Sequence, residues 1–376
     1  TRLDSSAASD VYKRQVDSTY FGTLANGLRV DKHTLENRKG LTVDLSAFGA
    51  AIIQLAMPDR SGRIDNIVLG YDALADYERD RYYLGGTIGR YANRIAKGRF
   101  FLDGRRCDLA RNDGAHHLHG GVIGFNKKLW SAEAAVGSDT CSVTFSYLSE
   151  DGEENYPGNL NVTVTYRLTD SNELFIDYTA RTDRTTPVNL TNHAYWNLLG
   201  AGKSTILDHE LTLNCSRYLE VDESLIPTGE VIAVENAALD FTRPKRIGTD
   251  ITATGKGYDH CFVVDEAAVP NPGGLSLAAT LRENTHGRCM TVYTDQPGIQ
   301  LYTGNFLDGV RGCRGAFYGK HAALCLETQN FPDAVNQPGF PDPILLPGNV
   351  FRTTTMHGFT HCLSLIHISE PTRPTT

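Results

Sequence analysis

The sequence contains no hydrophobic run of bilayer length, no C-x-x-C pair and no excess of positive charge. The first absence argues against a helical membrane anchor, since a spanning helix needs about 20 apolar residues in succession. The second sets aside a zinc ribbon. The scatter of the eight cysteines, at 107, 141, 215, 261, 289, 313, 325 and 362, likewise does not read as a disulfide scaffold. Cys261 precedes Phe262 and Cys325 lies between two leucines, places where a reduced thiol acts as a small hydrophobe. A reducing, cytoplasmic setting is therefore expected. The third absence is a net charge of −8, which suits neither nucleic acid, nor an anionic membrane, nor a phosphorylated substrate. Long amphipathic helices, tandem repeats, low-complexity tracts and interdomain linkers are also missing. Glycosylation triplets at 161–163, 189–191 and 214–216 carry little weight alone, because such triplets arise by chance.

What is present is strand texture. The 36 glycines and 15 prolines punctuate 376 residues into short apolar segments. Period-2 alternation is strongest in SVTFSYL, NVTVTYRL and ELFIDYTAR; the last two are separated by residues 169–172 and predict a hairpin. In it Val162, Val164, Tyr166 and Leu168 share one face, as do Leu174, Ile176 and Tyr178. A second hairpin is expected through Asp103-Gly104, and one short helix or irregular turn over residues 74–82. The expected fold is all-β, a large antiparallel β-sandwich over residues 16–361 in a single domain. Residues 1–15 and 362–376 do not share this patterning and resemble translated sequencing-adapter read-through. The natural termini, with any signal peptide, are then expected to be missing. The stretch at 270–274 is expected to be a loop.

Chemistry concentrates in two places. Glu327 is the first charge after the apolar run Leu324, Cys325, Leu326, and a Pro-, Asn-, Gln- and Gly-rich loop follows it. A carboxylate at such a strand end is a candidate acid or base, or simply a cap for a basic neighbour. His193 lies in VNLTNHAYWNLL, among amides able to bind hydroxyls and aromatics able to stack on a sugar face. His116, His117 and His119 invite a metal reading, but no zinc-site spacing completes the set; hydrogen bonding is the expected use.

Six segments in one order carry a resemblance: GRYANRIAKGRF (89–100), HLHGG (117–121), TNHAYWNL (191–198), YDHCF (258–262), TDQPGIQLYTGNFLDG (294–309) and ETQNFPDAVNQPGFP (327–341). Together they closely resemble the aldose 1-epimerase, or galactose mutarotase, family over residues 19–360. The resemblance implies a large antiparallel β-sandwich with an open cleft and neither metal nor organic cofactor. It implies a monosaccharide substrate and interconversion of the α and β anomers of free aldohexoses. The sequence leaves the oligomeric state open, with monomer as the default. Carried over by position, Glu327 would be the catalytic base and His193 the acid. Arg94, His119 and Asp259 would hold sugar hydroxyls, with Asn93 and Gln296 as further contacts. Ala194 and Trp196 vary the positions around the histidine, Phe331 stands where many members have Trp, and NVFRTTTMHGFT is less regular than the family's usual last strand.

Three other readings share these residues. A glycoside hydrolase would pair Glu327 with Asp259 across a glycosidic bond. A hexose 6-phosphate epimerase would add a basic cluster for the phosphate, which the sequence does not show beside the motifs. A silent sugar-binding module would have no need of both Glu327 and His193.

Overall fold

The computed structural model describes residues 13–266 and 273–362. Most of both ends expected to be foreign, and most of the loop expected at 270–274, lie outside the described residues. Gln15 opens the first strand, Gln15–Thr23.

Every pairing between these strands is antiparallel, in keeping with the alternation in the sequence. Gln15–Thr23, Arg29–Glu36, Thr42–Ser46, Ala51–Pro58 and Ile64–Asn66 form a five-stranded meander in chain order. A nine-stranded sheet contains the three strongly alternating runs as Thr140–Ser149, Leu160–Thr169 and Glu173–Thr182. In its middle pair Val164 faces Tyr178 and Tyr166 faces Ile176, all four buried, while intervening residues are partly solvated. This is the half-buried pleat that period-2 patterning encodes. The hairpin at Asp103-Gly104 also forms: both turn residues have positive φ, 49° and 74°, as a two-residue turn of matching twist requires. The expected short helix is Leu74–Arg79, the only α-helix among the described residues.

The last strand departs from expectation. NVFRTTTMHGFT, residues 349–360, reads as less regular than the family's usual last strand, yet Phe351–His361 is an 11-residue strand in the middle of the nine-stranded sheet, paired with Glu173–Thr182 on one side and Arg288–Thr294 on the other. Its threonines hide the pattern: Thr353 and Thr355 are buried, and their hydroxyls are satisfied by Asp295, Thr294 and Thr328. β-Branched threonine suits a strand, and a paired hydroxyl removes most of the cost of burying it.

A second five-stranded sheet runs Pro227–Ala233, Arg217–Val221, Asp259–Val263, Gly298–Tyr302, Cys325–Gln329. Ile299, Leu301 and Leu326 from it join Val143, Phe145, Val164 and Tyr166 of the large sheet in one contiguous core. The two sheets thus close on shared apolar side chains, as in a sandwich. The opposite face of this second sheet, carrying the alternate residues, is left for the site.

Gly85 ties the meander to the site. Its carbonyl accepts from Ile52 N–H and Asn192 Nδ2, and its N–H donates to the His193 carbonyl. Its φ is +69°, and a Cβ there would stand 1.8 Å from the Ile52 carbonyl oxygen. Gly85→Ala should therefore cost at least about 2 kcal/mol of stability, from left-handed strain and a backbone clash together. Urea denaturation measures this; a loss below about 0.5 kcal/mol would contradict it.

Candidate active site

Strand register assembles the carboxylate side of the site. Gln300 is directly opposite Glu327 across one pair, and Cys261 is opposite Gln300 across the next. Side chains two residues apart share a face, so Asp259, Gln300, Tyr302, Cys325 and Glu327 all point from one surface of the second sheet. Gln300 Nε2 donates to Asp259 Oδ1 at 2.7 Å. Glu327 was expected at the strand's end, where the chain leaves the sheet. Instead it sits in the middle of Cys325–Gln329, buried on both sides, and the chain leaves after Gln329.

The histidine side is held by backbone. Thr191–Asn192 pairs with Thr87–Ile88, His193 N–H donates to the Gly86 carbonyl at 2.9 Å, and its carbonyl accepts from Gly85 N–H at 3.0 Å. Three residues on, Trp196 exchanges backbone hydrogen bonds with Leu324, immediately before the Glu327 strand. His193 Nε2 thereby lies 3.7 Å from Glu327 Oε1, with both side chains almost wholly buried. That is beyond a hydrogen bond, and Glu327 Oε2 has no hydrogen-bond partner among the described residues. A buried carboxyl oxygen without a donor is costly, so it marks a place where a ligand hydroxyl would be favoured.

Both groups line a cleft of about 420 Å³, within the usual size for small-molecule sites. Arg94 and Asn93 come from GRYANRIAKGRF, and His119 from the loop after His117–Leu118, which pairs with Arg94–Ile95. Arg94 Nε donates to Asp113 Oδ2 at 2.8 Å, which fixes the guanidinium at the cleft. Asn93, His119 and Tyr83 have φ of 62°, 52° and 62°, a left-handed conformation costly for side-chain-bearing residues. Its recurrence around one cleft is the pattern of strain held at a functional site.

The histidine cluster separates into three roles. His116 Nδ1 accepts from Lys97 N–H. His117 Nδ1 donates to the Ala110 carbonyl, and its Nε2 accepts from Tyr156. His119 alone of the three lines the cleft. Donor atoms of His119, His193 and Glu327 lie within 4.8 Å of one another, a grouping able in principle to hold a metal ion. However, Asn93 N–H donates to His119 Nδ1. The neutral ring then carries its proton on Nε2, and offers a hydrogen-bond donor rather than a metal-binding lone pair.

Burial sets the electrostatics. Desolvation, and then the charge of Asp259, push the Glu327 carboxyl well above the ordinary carboxylate range, with Arg94 opposing. Desolvation pushes His193 down to about 4. The imidazole is boxed by Tyr195, His119, Tyr83 and Tyr302, at ring separations of 5.0, 5.3, 5.7 and 6.3 Å. Asp259 is raised by burial and His119 is lowered by it. Both directions disfavour charge and favour a protonated Glu327 beside a neutral His193.

Of the residues expected at the site, Glu327, His193, Arg94, Asn93, His119 and Asp259 all line the cleft, and Gln296 does not. Gln296 lies in the turn before Gly298–Tyr302, its N–H donating to Thr294 Oγ1. Gln300 occupies the cleft instead, because the strand begins at Gly298 and its period places 300 and 302 on the Glu327 face. Tyr83, Asp113, Tyr302 and Phe306 are further lining residues that sequence reasoning missed. Alternation through IQLY was the available signal for Gln300 and Tyr302. Nothing local marks Tyr83 or Asp113.

Known proteins are similar to this chain over most of its length. The family model described as aldose 1-epimerase matches residues 31–357. A galactose mutarotase from Mus musculus is 46% identical over 347 residues, covering 92% of this chain and 98% of that one. An aldose 1-epimerase from Escherichia coli is 36% identical over 333 residues, 87% of this chain and 94% of that one. The solved structure of a galactose 1-epimerase from Lactobacillus acidophilus superimposes with a TM-score of 0.81 at 28% identity, over 93% of this chain and all of that one.

Asp113→Asn keeps the size of the side chain and removes the charge holding Arg94. It should weaken binding of a polyhydroxylated ligand such as D-galactose about 2- to 5-fold, the range of a partly exposed ion pair, without moving the urea midpoint. Calorimetric titration checks this; unchanged affinity would contradict the positioning of Arg94 by Asp113.

Proposed function

Because this chain belongs to the aldose 1-epimerase family and interconverts the α and β anomers of aldoses, we propose that Glu327 is the base of that reaction and His193 its acid. The observation that supports this most directly is the pair itself. A buried carboxyl with an unpartnered oxygen stands 3.7 Å from an imidazole nitrogen on the lining of a sugar-sized cleft.

Opening a pyranose removes the proton of the anomeric hydroxyl and delivers one to the ring oxygen as the bond from C1 to that oxygen breaks. The two oxygens sit on one carbon, so base and acid must stand side by side. Glu327 takes the first proton and His193 Nε2 gives the second. The aldehyde then turns about the C1–C2 bond and closes on its other face, with the protons returning along the same routes. Atoms and charge balance within the pair, and the cycle calls for no electron or group acceptor. Before opening, the shared proton is on His193; afterwards it is on Glu327 and both groups are neutral. Burial favours that neutral arrangement, and so lowers the energy of the open-chain stage. Each positioned proton-transfer group contributes roughly 10²–10⁴-fold.

Free aldohexoses such as glucose and galactose are the proposed substrates. Arg94, Asn93, His119, Asp259 and Gln300 supply the groups for ring hydroxyls. A monomer is the proposed acting unit. The eight free cysteines support a reducing, cytoplasmic setting. Among the described residues no helix is long and apolar enough to cross a membrane.

Polarimetry on freshly dissolved α-D-glucose and α-D-galactose tests the roles. Glu327→Gln and His193→Asn should each lose at least about 10²-fold of the rate above buffer. Near-wild-type activity in either would remove that residue from its role. The pH dependence has a definite sign. Activity should fall as pH drops through about 4, where His193 takes a second proton and Glu327 can no longer accept one. It should fall again as pH rises through the elevated value of Glu327, where the shared proton is lost. A bell-shaped kcat/KM profile is expected; a profile flat through the acid limb would contradict it.

A further inference from the structure

Cys325 is two residues before Glu327 on the same strand and the same face, and it is fully buried. Its sulfur stands 3.4 Å from His193 Nδ1, the nitrogen on the far side of the ring from the 3.7 Å approach of Nε2 to Glu327. One strand therefore contacts both halves of the proton pair: it carries Glu327 itself, and it touches the back of the imidazole. We propose that Cys325 is a positioning residue for His193, its sulfur accepting the Nδ1–H so that the mobile proton is confined to Nε2.

This rests on the assignment of His193 as the acid, and the chemistry of the cycle supplies the argument. Nε2 must lose and regain a proton while the ring keeps its orientation. Nδ1 must then hold its own proton throughout, and that N–H needs a buried acceptor. Cys325 is in place to provide one. Its identity matters as well as its position. A carboxylate behind the ring would clamp the imidazolium, as in triads whose histidine has to accept a proton. A thiol sulfur is a weak, neutral acceptor, so it orients the ring without supplying a countercharge. Burial, reinforced by the charges of Glu327 and Asp259, pushes the Cys325 thiol well up, so the sulfur remains a thiol and not a thiolate. The other titratable groups packed against the imidazole are Glu327, His119, Tyr83, Tyr195 and Tyr302. None of these hydrogen-bonds Nδ1; the other acceptor beside the ring is the carbonyl of His193 itself, which already accepts from Gly85 N–H.

Nitrogen-15 NMR of the wild-type protein, with the His193 signals identified by their loss in His193→Asn, reads the tautomer directly. At neutral pH Nδ1 should be protonated and Nε2 bare. An unprotonated Nδ1 would mean that the thiol donates to the ring, and would overturn the proposal. Kinetics give a second reading. Cys325→Ala should lower kcat about 10-fold, a fraction of the whole effect of a positioned acid, with KM within about 2-fold. Cys325→Ser, which restores an acceptor, should recover most of that loss. Wild-type kcat in Cys325→Ala would overturn the proposal, and so would a Cys325→Ser variant as slow as Cys325→Ala, since that pattern would report lost packing alone. The His193→Asn control separates the two levels: full activity there removes the acid assignment, whereas an inactive His193→Asn beside a fully active Cys325→Ala removes only the role of Cys325.

Discussion

Trp196 and Leu324 exchange two backbone hydrogen bonds, 2.7 and 3.0 Å long, and the geometry of the site hangs on that bridge. On one side of it the chain runs back three residues to His193, and on the other forward three residues to Glu327. Both segments are short, buried and hydrogen-bonded along their length, so neither side chain can drift without breaking the ladder. The bridge is itself anchored: Trp196 also pairs with Val68, and it packs on His357 and Phe359 of the central strand of the large sheet. The 3.7 Å separation of His193 and Glu327 is therefore a property of the whole sandwich.

The second constraint is desolvation. Four rings surround His193 and Glu327 is buried on its strand, and this moves both groups toward their neutral forms. In water the pair would be a carboxylate beside an imidazole with little reason to exchange a proton. In the cleft burial draws the proton toward Glu327 and away from His193. Arg94, fixed by Asp113, and the Asp259–Gln300 hydrogen bond set the polar frame of the cleft. Arg94, Asp259 and Gln300 come from strands, which hold geometry better than loops.

Much of this was legible from residues alone because the physics is local. Period-2 alternation in residues 160–182 encodes one hairpin, Asp103-Gly104 encodes the turn of another, and the six ordered segments point to the cleft. What was not legible depends on register and on distant partners. Gln296 and Gln300 share one motif, and only the point where the strand starts decides which faces Glu327. The final strand reads as polar until the partners of Thr353 and Thr355 are seen. The contact of Cys325 with His193 spans 132 residues and has no sequence signature, since a cysteine between two leucines looks like ordinary core.

The central claim is that burial holds one proton on the Glu327–His193 pair. Carbon-13 NMR of the glutamate side-chain carboxyls, titrated with pH in the sugar-free protein, tests it most directly, with the Glu327 signal identified by its loss in Glu327→Gln. The account predicts that this one carboxyl titrates well above the ordinary glutamate value of 4.5. A Glu327 signal titrating with the exposed glutamates would contradict it.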